Sequence, residues 1–292
     1  MKALTFARCG GAEVLEYADI PQPTVQKNEV LIATKAMGVN LVDICHRKSD
    51  YLLKRKPPYV AGYEGAGEVI ASNSTKFKIG DKVAFVDVSS SHAEMVVAHE
   101  DKLISLPDDI SFETAAAVLF QGLSAYYLTN DCHTIKKGEL LLIHEAACGL
   151  GLLLVQFGKL LGAKVIGITH TLSQKQVITS LGADEVFIYQ ENWKNKVMAF
   201  AHYKGVDVVY DSVGQTLGES LEVVKIGGKV VFFGMSGGEP ALVNPRTLLE
   251  QSKSLVGADV WSVLISSEER NRRANIIFDM LRNKKIKIHP PV

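Results

Sequence analysis

Residues 143–164 read IHEAACGLGLLLVQFGKLLGAK, an order of residue types that could build a site for an anionic ligand. The apolar run 140–143 leads into a turn of small residues, and an apolar, helix-like stretch follows. A helix that begins at such a turn presents unpaired N–H groups and the positive end of its dipole, which suit a phosphate. The dinucleotide fingerprint G-x-G-x-x-G has glycine where this chain has Ala146, Cys148 and Gly151. The pattern leaves two interpretations open: an altered dinucleotide turn, or a tight connection that binds no ligand.

The end of the next strand-like run indicates which dinucleotide such a turn would take. Domains that prefer NAD carry an acidic residue about 20 residues beyond the glycines, where it binds the ribose hydroxyls. Here the run 164–169 ends in Thr169-His170-Thr171, without an acid. Thr169 leaves room for a 2′-phosphate, and His170 or Lys175 could supply positive charge, so the pattern favours NADPH. The alternative is that Lys175 only solvates the following helix.

The chain lacks the motifs of several other catalytic sites. It has no H-E-x-x-H pair and no P-loop lysine, and its eight histidines are dispersed. The four cysteines, Cys9, Cys45, Cys132 and Cys148, form no C-x-x-C pair. We therefore expect neither a disulfide framework nor a cysteine-rich zinc site, and we expect a reducing, cytoplasmic setting.

Composition excludes some classes of partner. Lys+Arg and Asp+Glu both number 32, which gives a formal net charge of +0 over 292 residues. No overall field then favours nucleic acid or an anionic membrane. The N-terminal residues lack the apolar core of a signal peptide, and no stretch is apolar for long enough to span a bilayer. We expect a small-molecule ligand rather than a nucleic acid or a membrane.

The elements that would position these residues change character along the chain. The first third is β-rich, with strand-like runs at 29–39, 66–72, 81–88 and 93–106 between Gly, Pro, Asn and Ser. After a helical stretch at 112–129, apolar strands alternate with helices. This alternation predicts a parallel sheet covered on both faces. The predicted strands are 140–143, 164–169, 185–189, 206–213, 229–234 and 254–260.

Several blocks in one order resemble the zinc-free quinone oxidoreductases (the zeta-crystallin group) of the medium-chain dehydrogenase/reductase superfamily. The likeness runs from Met1 to about Lys287, and its carriers include GVNLVDICHR, PPYVAGYEGAGEVIA, KIGDKVA, FQGLSAYYL, LGADEVFIY and VDVVYDSVG. The resemblance implies a GroES-like β-barrel catalytic domain at 1–120, to which 257–292 return, and a doubly wound Rossmann domain with a parallel sheet at 121–256.

The resemblance also implies the site residues. Asn40 and Asp43 match an N-x-x-D pattern of the family's active-site cleft, Tyr51 matches a pocket tyrosine, and Gln121 and Ser124 match residues beside the nicotinamide. The implied NADPH-binding residues are Ala146, Ala147, Cys148, Gly149, Leu150, Gly151, Thr169, His170, Lys175, Tyr189, Phe233, Gly234, Met235 and Ser236.

Zinc is not expected. In zinc-dependent relatives the position of Asn40 is a cysteine ligand, and a G-H-E motif supplies a histidine ligand where this chain has Tyr63. Zinc prefers thiolate and imidazole donors, so the resemblance implies zinc-independent chemistry. Glu64 is expected to keep a structural role.

Two features depart from the family. The turn A-x-x-G-x-x-G carries Glu145 and Cys148 at its first two defined positions. Glu145 would repel a pyrophosphate unless it points away or pairs with a cation. Family members also usually continue beyond the equivalent of Val292 with a helix and a strand, so we expect an exposed sheet edge in the first domain.

The implied reaction is hydride transfer from NADPH to a quinone or an α,β-unsaturated carbonyl compound. Two alternatives stay open: a non-enzymatic relative that acts as a binding or structural protein, and an enoyl-thioester reductase. A homodimer paired through the strand near 254–260 is expected, unless that strand is buried within the monomer.

Overall fold

The computed structural model describes residues 1–48 and 56–288. The chain forms two compact units. The first consists of Met1–Phe120 with Leu264–Phe278, and the second of Gln121–Val263 with the chain from Asp279 onward. The division falls inside one helix, between Phe120 and Gln121.

The first unit is built on antiparallel strands in two sheets, with the orders β2-β1-β4 and β7-β3-β5-β6-β8. Apolar side chains that alternate along the larger sheet, among them Val30, Ile32, Val83 and Phe85, form its core. The strands are β1 Lys2–Phe6, β2 Glu16–Asp19, β3 Glu29–Gly38, β4 Tyr59–Val60, β5 Glu64–Ser72, β6 Lys82–Val86, β7 Met95–His99 and β8 Leu103–Ser105. The helices that begin here are α1 Leu41–Lys48 and α2 Phe112–Tyr127.

The run 93–106, predicted as one strand, is two strands separated by a short 3-10 turn at Glu100–Lys102. Glu100 causes the break, because its carboxylate accepts hydrogen bonds from the Ser74 hydroxyl and from the Thr75 N–H at 2.9 Å. A buried carboxylate must find donors, and these donors turn the backbone out of the strand.

The edge strand β8 is covered by a helix of its own unit. Helix α8 (Ser267–Arg282) places Asn271 against it. The Asn271 amide accepts from the Ser105 N–H at 3.1 Å and donates to the Leu103 carbonyl at 3.3 Å. The expectation of an exposed edge is therefore wrong at these two residues, because one side chain occupies both backbone groups.

The second unit is a parallel six-stranded sheet with the order β11-β10-β9-β12-β13-β14. Its strands are buried on both faces, with Leu142, Ile166, Val209 and Val230 at the centre. The strands are β9 Leu140–Ile143, β10 Lys164–Thr169, β11 Glu185–Ile188, β12 Val206–Asp211, β13 Val224–Phe232 and β14 Ser254–Gly257. The helices are α3 Gly149–Leu160, α4 Leu172–Ser180, α5 Trp193–Phe200, α6 Leu217–Val223 and α7 Pro245–Glu250.

Several predicted boundaries in this sheet are wrong: β11 ends at Ile188 rather than at 189, and β13 spans Val224–Phe232 rather than 229–234. Two further boundaries have local causes. Strand β12 ends at Asp211 rather than at 213, because the Asp211 carboxylate accepts the N–H groups of Val213 and Gly214 at 2.9 and 3.0 Å. Strand β14 ends at Gly257 rather than at 260, and the Ala258 N–H donates to the Phe232 carbonyl at 2.8 Å.

The C-terminal part divides differently from the expectation that 257–292 belong with the first domain. Only Leu264–Phe278 group with the first unit. The Gln156 side chain holds the later residues in the second unit, since it accepts from the Lys287 N–H at 2.7 Å and donates to the Lys287 carbonyl at 3.1 Å.

Across the described ranges, no helix combines the length and the apolar character that crossing a bilayer would require. All four cysteines lie in the described part of the chain, and none of them forms a disulfide.

Candidate functional site

The turn between β9 and α3 has the shape of an anion site. Cys148 is the N-cap of α3, and its Sγ accepts the Gly151 N–H at 3.2 Å. The thiol thus takes the part that Ser, Thr or Asp more often plays at this position. Gly149 and Leu150 also belong to the first turn, and N–H groups of a first turn have no acceptor within their own helix. The Cys148 thiol, which departs from the family pattern, therefore takes up one N–H of the turn, that of Gly151.

Other groups approach both glycines of the turn closely. A Cβ on Gly151 would lie 2.3 Å from the Glu145 carbonyl oxygen, so the helix packs on the turn backbone. A Cβ on Gly149 would lie 2.1 Å from Oε1 of Gln121. Gln121, predicted as a catalytic residue, thus lies directly over the first residue of α3, among the predicted cofactor residues.

The carboxylate of Glu145 has a partner on the neighbouring strand end. Its backbone is left-handed, with φ 50°, and its Oε1 lies 2.7 Å from Nε2 of His170, the first residue after β10. The sequence left repulsion open unless this carboxylate pairs with a cation or turns away. In the structure it pairs with the imidazole of His170.

Tyr189 follows the next strand, β11, and packs on the same histidine, with ring centroids 4.8 Å apart. Its hydroxyl points elsewhere, to Nδ1 of His144 at 2.7 Å. Burial raises the pKa of this phenol, so it stays protonated. The ring of Tyr189, and not its hydroxyl, faces His170.

A buried polar chain that the sequence did not predict lies behind Tyr189. The Ser220 hydroxyl donates to Asp211 Oδ2 at 2.7 Å, and Nε2 of His144 lies 3.0 Å from Ser220 Oγ. Because the Ser220 hydroxyl uses its hydrogen to bond the carboxylate, its oxygen accepts from Nε2 of His144, and Nδ1 of His144 accepts from Tyr189. The imidazole is therefore the neutral Nε2–H form.

Burial sets the ionisation of this chain. It lowers the pKa of His144 to about 4, against a smaller opposing effect of Asp211. Burial works against ionisation of Asp211 too. The attraction of His144 and the hydrogen bonds from Gly214, Ser220 and Thr216 nevertheless lower the pKa of this carboxyl. Asp211 and Gly214 lie inside a block that carries the resemblance, whereas Thr216 and Ser220 lie beyond it. His144, Asp211 and Ser220 are far apart in sequence, and no spacing pairs them.

Two polar side chains near the end of β10 already have partners within the protein. The buried Thr169 hydroxyl donates to Gln174 Oε1 at 2.7 Å. Lys175 Nζ lies 3.6 Å from the carboxylate of Glu185. The hydroxyl of Thr169 therefore has a partner already, and the charge of Lys175 is shared with an acid.

Phe233, Gly234, Met235 and Ser236 follow β13 at the carboxyl edge of the sheet. The Phe233 N–H donates to the Asp211 carbonyl and the Ser236 N–H to the Ser212 carbonyl, both at 3.0 Å. Beside them, Ser212 Oγ is buried and has no hydrogen-bond partner among the described residues. A buried orphan hydroxyl at this edge suits a polar group of a ligand.

The first unit brings together a separate set around Glu64. Asn40 Nδ2 donates to Glu64 Oε2 at 2.8 Å, and the Phe120 N–H donates to Glu64 Oε1 at 2.7 Å. Burial raises the pKa of Glu64 to about 8, with a further contribution from Asp43, although both hydrogen bonds oppose the shift. The structural role expected of Glu64 is thus to fix the amide of Asn40.

Asp43 lies next to this set on α1. Its Oδ2 accepts the Asn40 N–H at 2.8 Å, whereas its Oδ1 is buried without a partner in the described ranges. Burial raises the pKa of Asp43. Tyr51, the third residue predicted for this pocket, lies outside the described residues.

Tyr63, at the position of a histidine ligand in zinc-dependent relatives, packs against the ring of His46 with centroids 4.8 Å apart. Within 1–48 and 56–288, no group of three or more His, Cys, Asp or Glu side chains is arranged to hold a metal ion. In the second unit, Ser124 lies on α2 one turn from Gln121 and is buried.

Comparisons with known proteins agree with this architecture. Residues 26–139 match the family described as alcohol dehydrogenase GroES-like domain, and residues 149–275 match the family described as zinc-binding dehydrogenase. A GroES-like domain followed by a Rossmann domain with a parallel sheet defines the medium-chain dehydrogenase/reductase fold, and this chain has that fold.

Individual relatives narrow the class. A quinone oxidoreductase of Pseudomonas aeruginosa is 35% identical over 98% of this chain and 90% of its own length. The solved structure of a Pseudomonas syringae quinone oxidoreductase has a TM-score of 0.94 at 35% identity, covering 99% of this chain and 90% of that one. An Escherichia coli quinone oxidoreductase solved with NADPH has a TM-score of 0.95 at 32% identity, again covering 99% and 90%. The chain belongs to the quinone oxidoreductase family of this superfamily and is a quinone oxidoreductase-like enzyme.

Proposed function

We propose that this protein is an NADPH-dependent, zinc-independent oxidoreductase that transfers a hydride to a quinone or an α,β-unsaturated carbonyl compound. The observation that carries the proposal is the convergence of predicted cofactor residues at the carboxyl edge of one parallel sheet. Residues 146–151 follow β9, His170 follows β10, Tyr189 follows β11 and Phe233–Ser236 follow β13. Ligands of doubly wound sheets bind at this edge.

The residues of the turn fit a dinucleotide. The start of α3 retains N–H groups for a pyrophosphate, Glu145 is held by His170, and Ser212 offers an unpaired hydroxyl at the same edge. We assign the pyrophosphate to Ala146–Gly151, the adenosine end to Thr169, His170, Lys175 and Tyr189, and the nicotinamide end to Phe233–Ser236, Gln121 and Ser124. When bound, NADPH supplies the hydride.

The residues of the first unit are assigned to the acceptor. Asn40 is held by Glu64, so one N–H of its amide is fixed and the other stays available for a developing oxyanion. Asp43 orients the Asn40 backbone, and Tyr51 or solvent supplies the proton. Zinc has no part in this assignment, because the Asn40 amide and the Tyr63 phenol stand at the positions of zinc ligands in zinc-dependent relatives.

We further propose a homodimer and a cytoplasmic location. Strand β14 is an outer strand of its sheet, and an outer strand can pair with the same strand of a second copy. The absence of disulfides among the four cysteines, all of them described, agrees with a reducing compartment.

The test begins with calorimetric titration of the purified protein with NADPH and NADH. NADPH oxidation is then followed with 1,4-benzoquinone, methyl vinyl ketone and crotonyl-CoA as acceptors. We expect micromolar NADPH binding, turnover with the quinone or the enone, and the same rate after dialysis against a zinc chelator. No binding of either nucleotide would overturn the proposal in favour of the binding-protein alternative. Turnover with crotonyl-CoA alone would favour the enoyl-thioester reductase.

Asn40→Ala tests the role of the first unit. Removing an oxyanion donor should lower kcat by roughly 10²-fold with little change in NADPH affinity. Asn73→Ala is a matched control, because Asn73 lies exposed in the same unit and its side-chain amide donates to the Val25 carbonyl, away from Glu64. Equal rates for the Asn40 variant and this control would exclude Asn40 from the reaction.

A further inference from the structure

Glu145 puts a carboxylate at a place where the sequence of the adjacent strand provides none. It belongs to the turn after β9, yet its Oε1 lies 2.7 Å from Nε2 of His170, immediately after β10. Its side chain is 26% exposed and that of His170 is 48% exposed, so both remain accessible from the carboxyl edge of the sheet. Strands β9 and β10 are paired neighbours in this sheet, which makes the reach possible.

The end of the second Rossmann strand is where adenosine riboses are distinguished. An acid there accepts hydrogen bonds from the 2′-hydroxyl of NADH, whereas a cation there accommodates the 2′-phosphate of NADPH. Strand β10 is this second strand and ends in Thr169 without an acid. Glu145 supplies the acid from the neighbouring turn.

The other groups near this strand end do not provide strong positive charge. Lys175 already lies 3.6 Å from Glu185. The Tyr189 hydroxyl donates to His144, so only its ring faces His170. The one ring nitrogen of His170 that remains is Nδ1, which has no partner within the described ranges, while Nε2 is engaged by Glu145.

We propose that Glu145 is a specificity-determining residue that weakens the preference of this site for NADPH over NADH. Its carboxylate accepts a ribose hydroxyl of NADH and repels the 2′-phosphate of NADPH, and the contact with His170 offsets this repulsion only in part. The inference rests on the proposed function, since it requires a site that binds nicotinamide nucleotides.

The test compares the dissociation constants of NADPH and NADH in the wild type and in Glu145→Gln, by calorimetry at low salt. The glutamine keeps the length of the side chain and an oxygen that can accept from Nε2 of His170, but it removes the charge. We expect the ratio Kd(NADH)/Kd(NADPH) to rise about tenfold, mainly through tighter NADPH binding. The rise should shrink in roughly 1 M salt, where charges are screened.

Glu222→Gln is the matched control. It removes the same charge from an exposed glutamate that pairs with Lys194 beside the start of β13, and it should leave the ratio unchanged. If Glu145→Gln folds poorly, Glu145→Gly serves instead, because glycine adopts the left-handed backbone of this position without strain.

The outcomes separate the two proposals. An unchanged or lower ratio in a folded Glu145 variant would overturn this inference while nucleotide binding itself stands. A wild type that binds neither nucleotide would overturn the proposed function and this inference with it. A purely structural role of Glu145 predicts a lower melting temperature with an unchanged ratio, and that result would also overturn the inference.

Discussion

The phenolic oxygen of Tyr189 lies 2.7 Å from Nδ1 of His144, although the two residues are 45 positions apart. Because His144 in turn donates to Ser220, which donates to Asp211, the direction of every hydrogen bond in the chain is fixed. Tyr189 is the outermost member and the only one whose ring reaches His170. The network therefore orients the ring of Tyr189 at the proposed adenosine end of the site, through the hydrogen bond of its hydroxyl to buried His144.

Tyr189→Phe should separate the ring from the hydroxyl. The variant keeps the ring against His170 but leaves Nδ1 of His144 buried without a donor, which should cost about 1–3 kcal/mol in free energy of unfolding. NADPH affinity should change little, because the hydroxyl faces away from His170. Urea unfolding and calorimetric titration measure the two quantities, and a large loss of NADPH affinity at unchanged stability would contradict the assignment.

The low pKa of His144 predicts acid sensitivity. Burial holds it at about 4 in the folded protein, whereas an unfolded histidine titrates near 6.5. The stabilising contribution is complete above pH 6.5 and is lost as the pH falls toward 4, by about 1.4 kcal/mol per pH unit. Free energies of unfolding measured from pH 7.5 to 4.5 should fall more steeply for the wild type than for His144→Gln. Parallel curves would show that His144 does not take up the proton.

The raised pKa of Glu64 predicts that the free energy of unfolding falls as the pH rises. Its pKa is raised from about 4.5 to about 8, so its contribution is complete below pH 4.5 and is lost as the pH rises toward 8. The total loss should be on the order of 5 kcal/mol in the free energy of unfolding. Glu64→Gln should be less stable than the wild type at pH 5, because a glutamine cannot accept from both the Asn40 amide and the Phe120 N–H. The difference should narrow by pH 9, and a gap that stays constant would contradict the raised pKa.

The two glycines of the turn should respond differently to alanine. Gly151→Ala would force a Cβ against backbone atoms of Glu145 and Ala146, which cannot move independently, so it should cost about 1–3 kcal/mol in stability. Gly149→Ala meets only the side-chain amide of Gln121, which can rotate away. It should leave stability within about 1 kcal/mol of the wild type and lower NADPH affinity. Urea unfolding and NADPH titration of both variants check this, and a Gly149 variant less stable than the Gly151 variant would contradict it.

The sheet of the second unit could be predicted from sequence because its signals are local. The runs 140–143 and 164–169 are strands β9 and β10 with the predicted bounds. A short, continuous apolar run followed by a helix is typical of a buried parallel strand. The break at Glu100 could not be predicted, because its cause is a pair of donors at Ser74 and Thr75, on another segment of the chain.

The candidate site shows the same contrast. The small-residue turn and the N-x-x-D pattern are each contiguous in sequence, so the first is predicted from its own residues and the second from the resemblance. The pairing of Glu145 with His170 depends on two strands lying side by side, and the buried links of His144 span 45 and 76 residues. Which way a carboxylate turns at a strand end is decided by its neighbours across the sheet, and a single sequence does not name those neighbours.

Asn271 has a consequence outside the reaction. Its single amide makes with β8 the two hydrogen bonds that the backbone of a further strand would otherwise make. Asn271 thereby caps the edge of the sheet. A strand from another molecule would find the Ser105 N–H and the Leu103 carbonyl already bonded. Loss of the Asn271 amide would therefore favour association between molecules through this edge. An activity assay would not detect that loss until the protein began to associate.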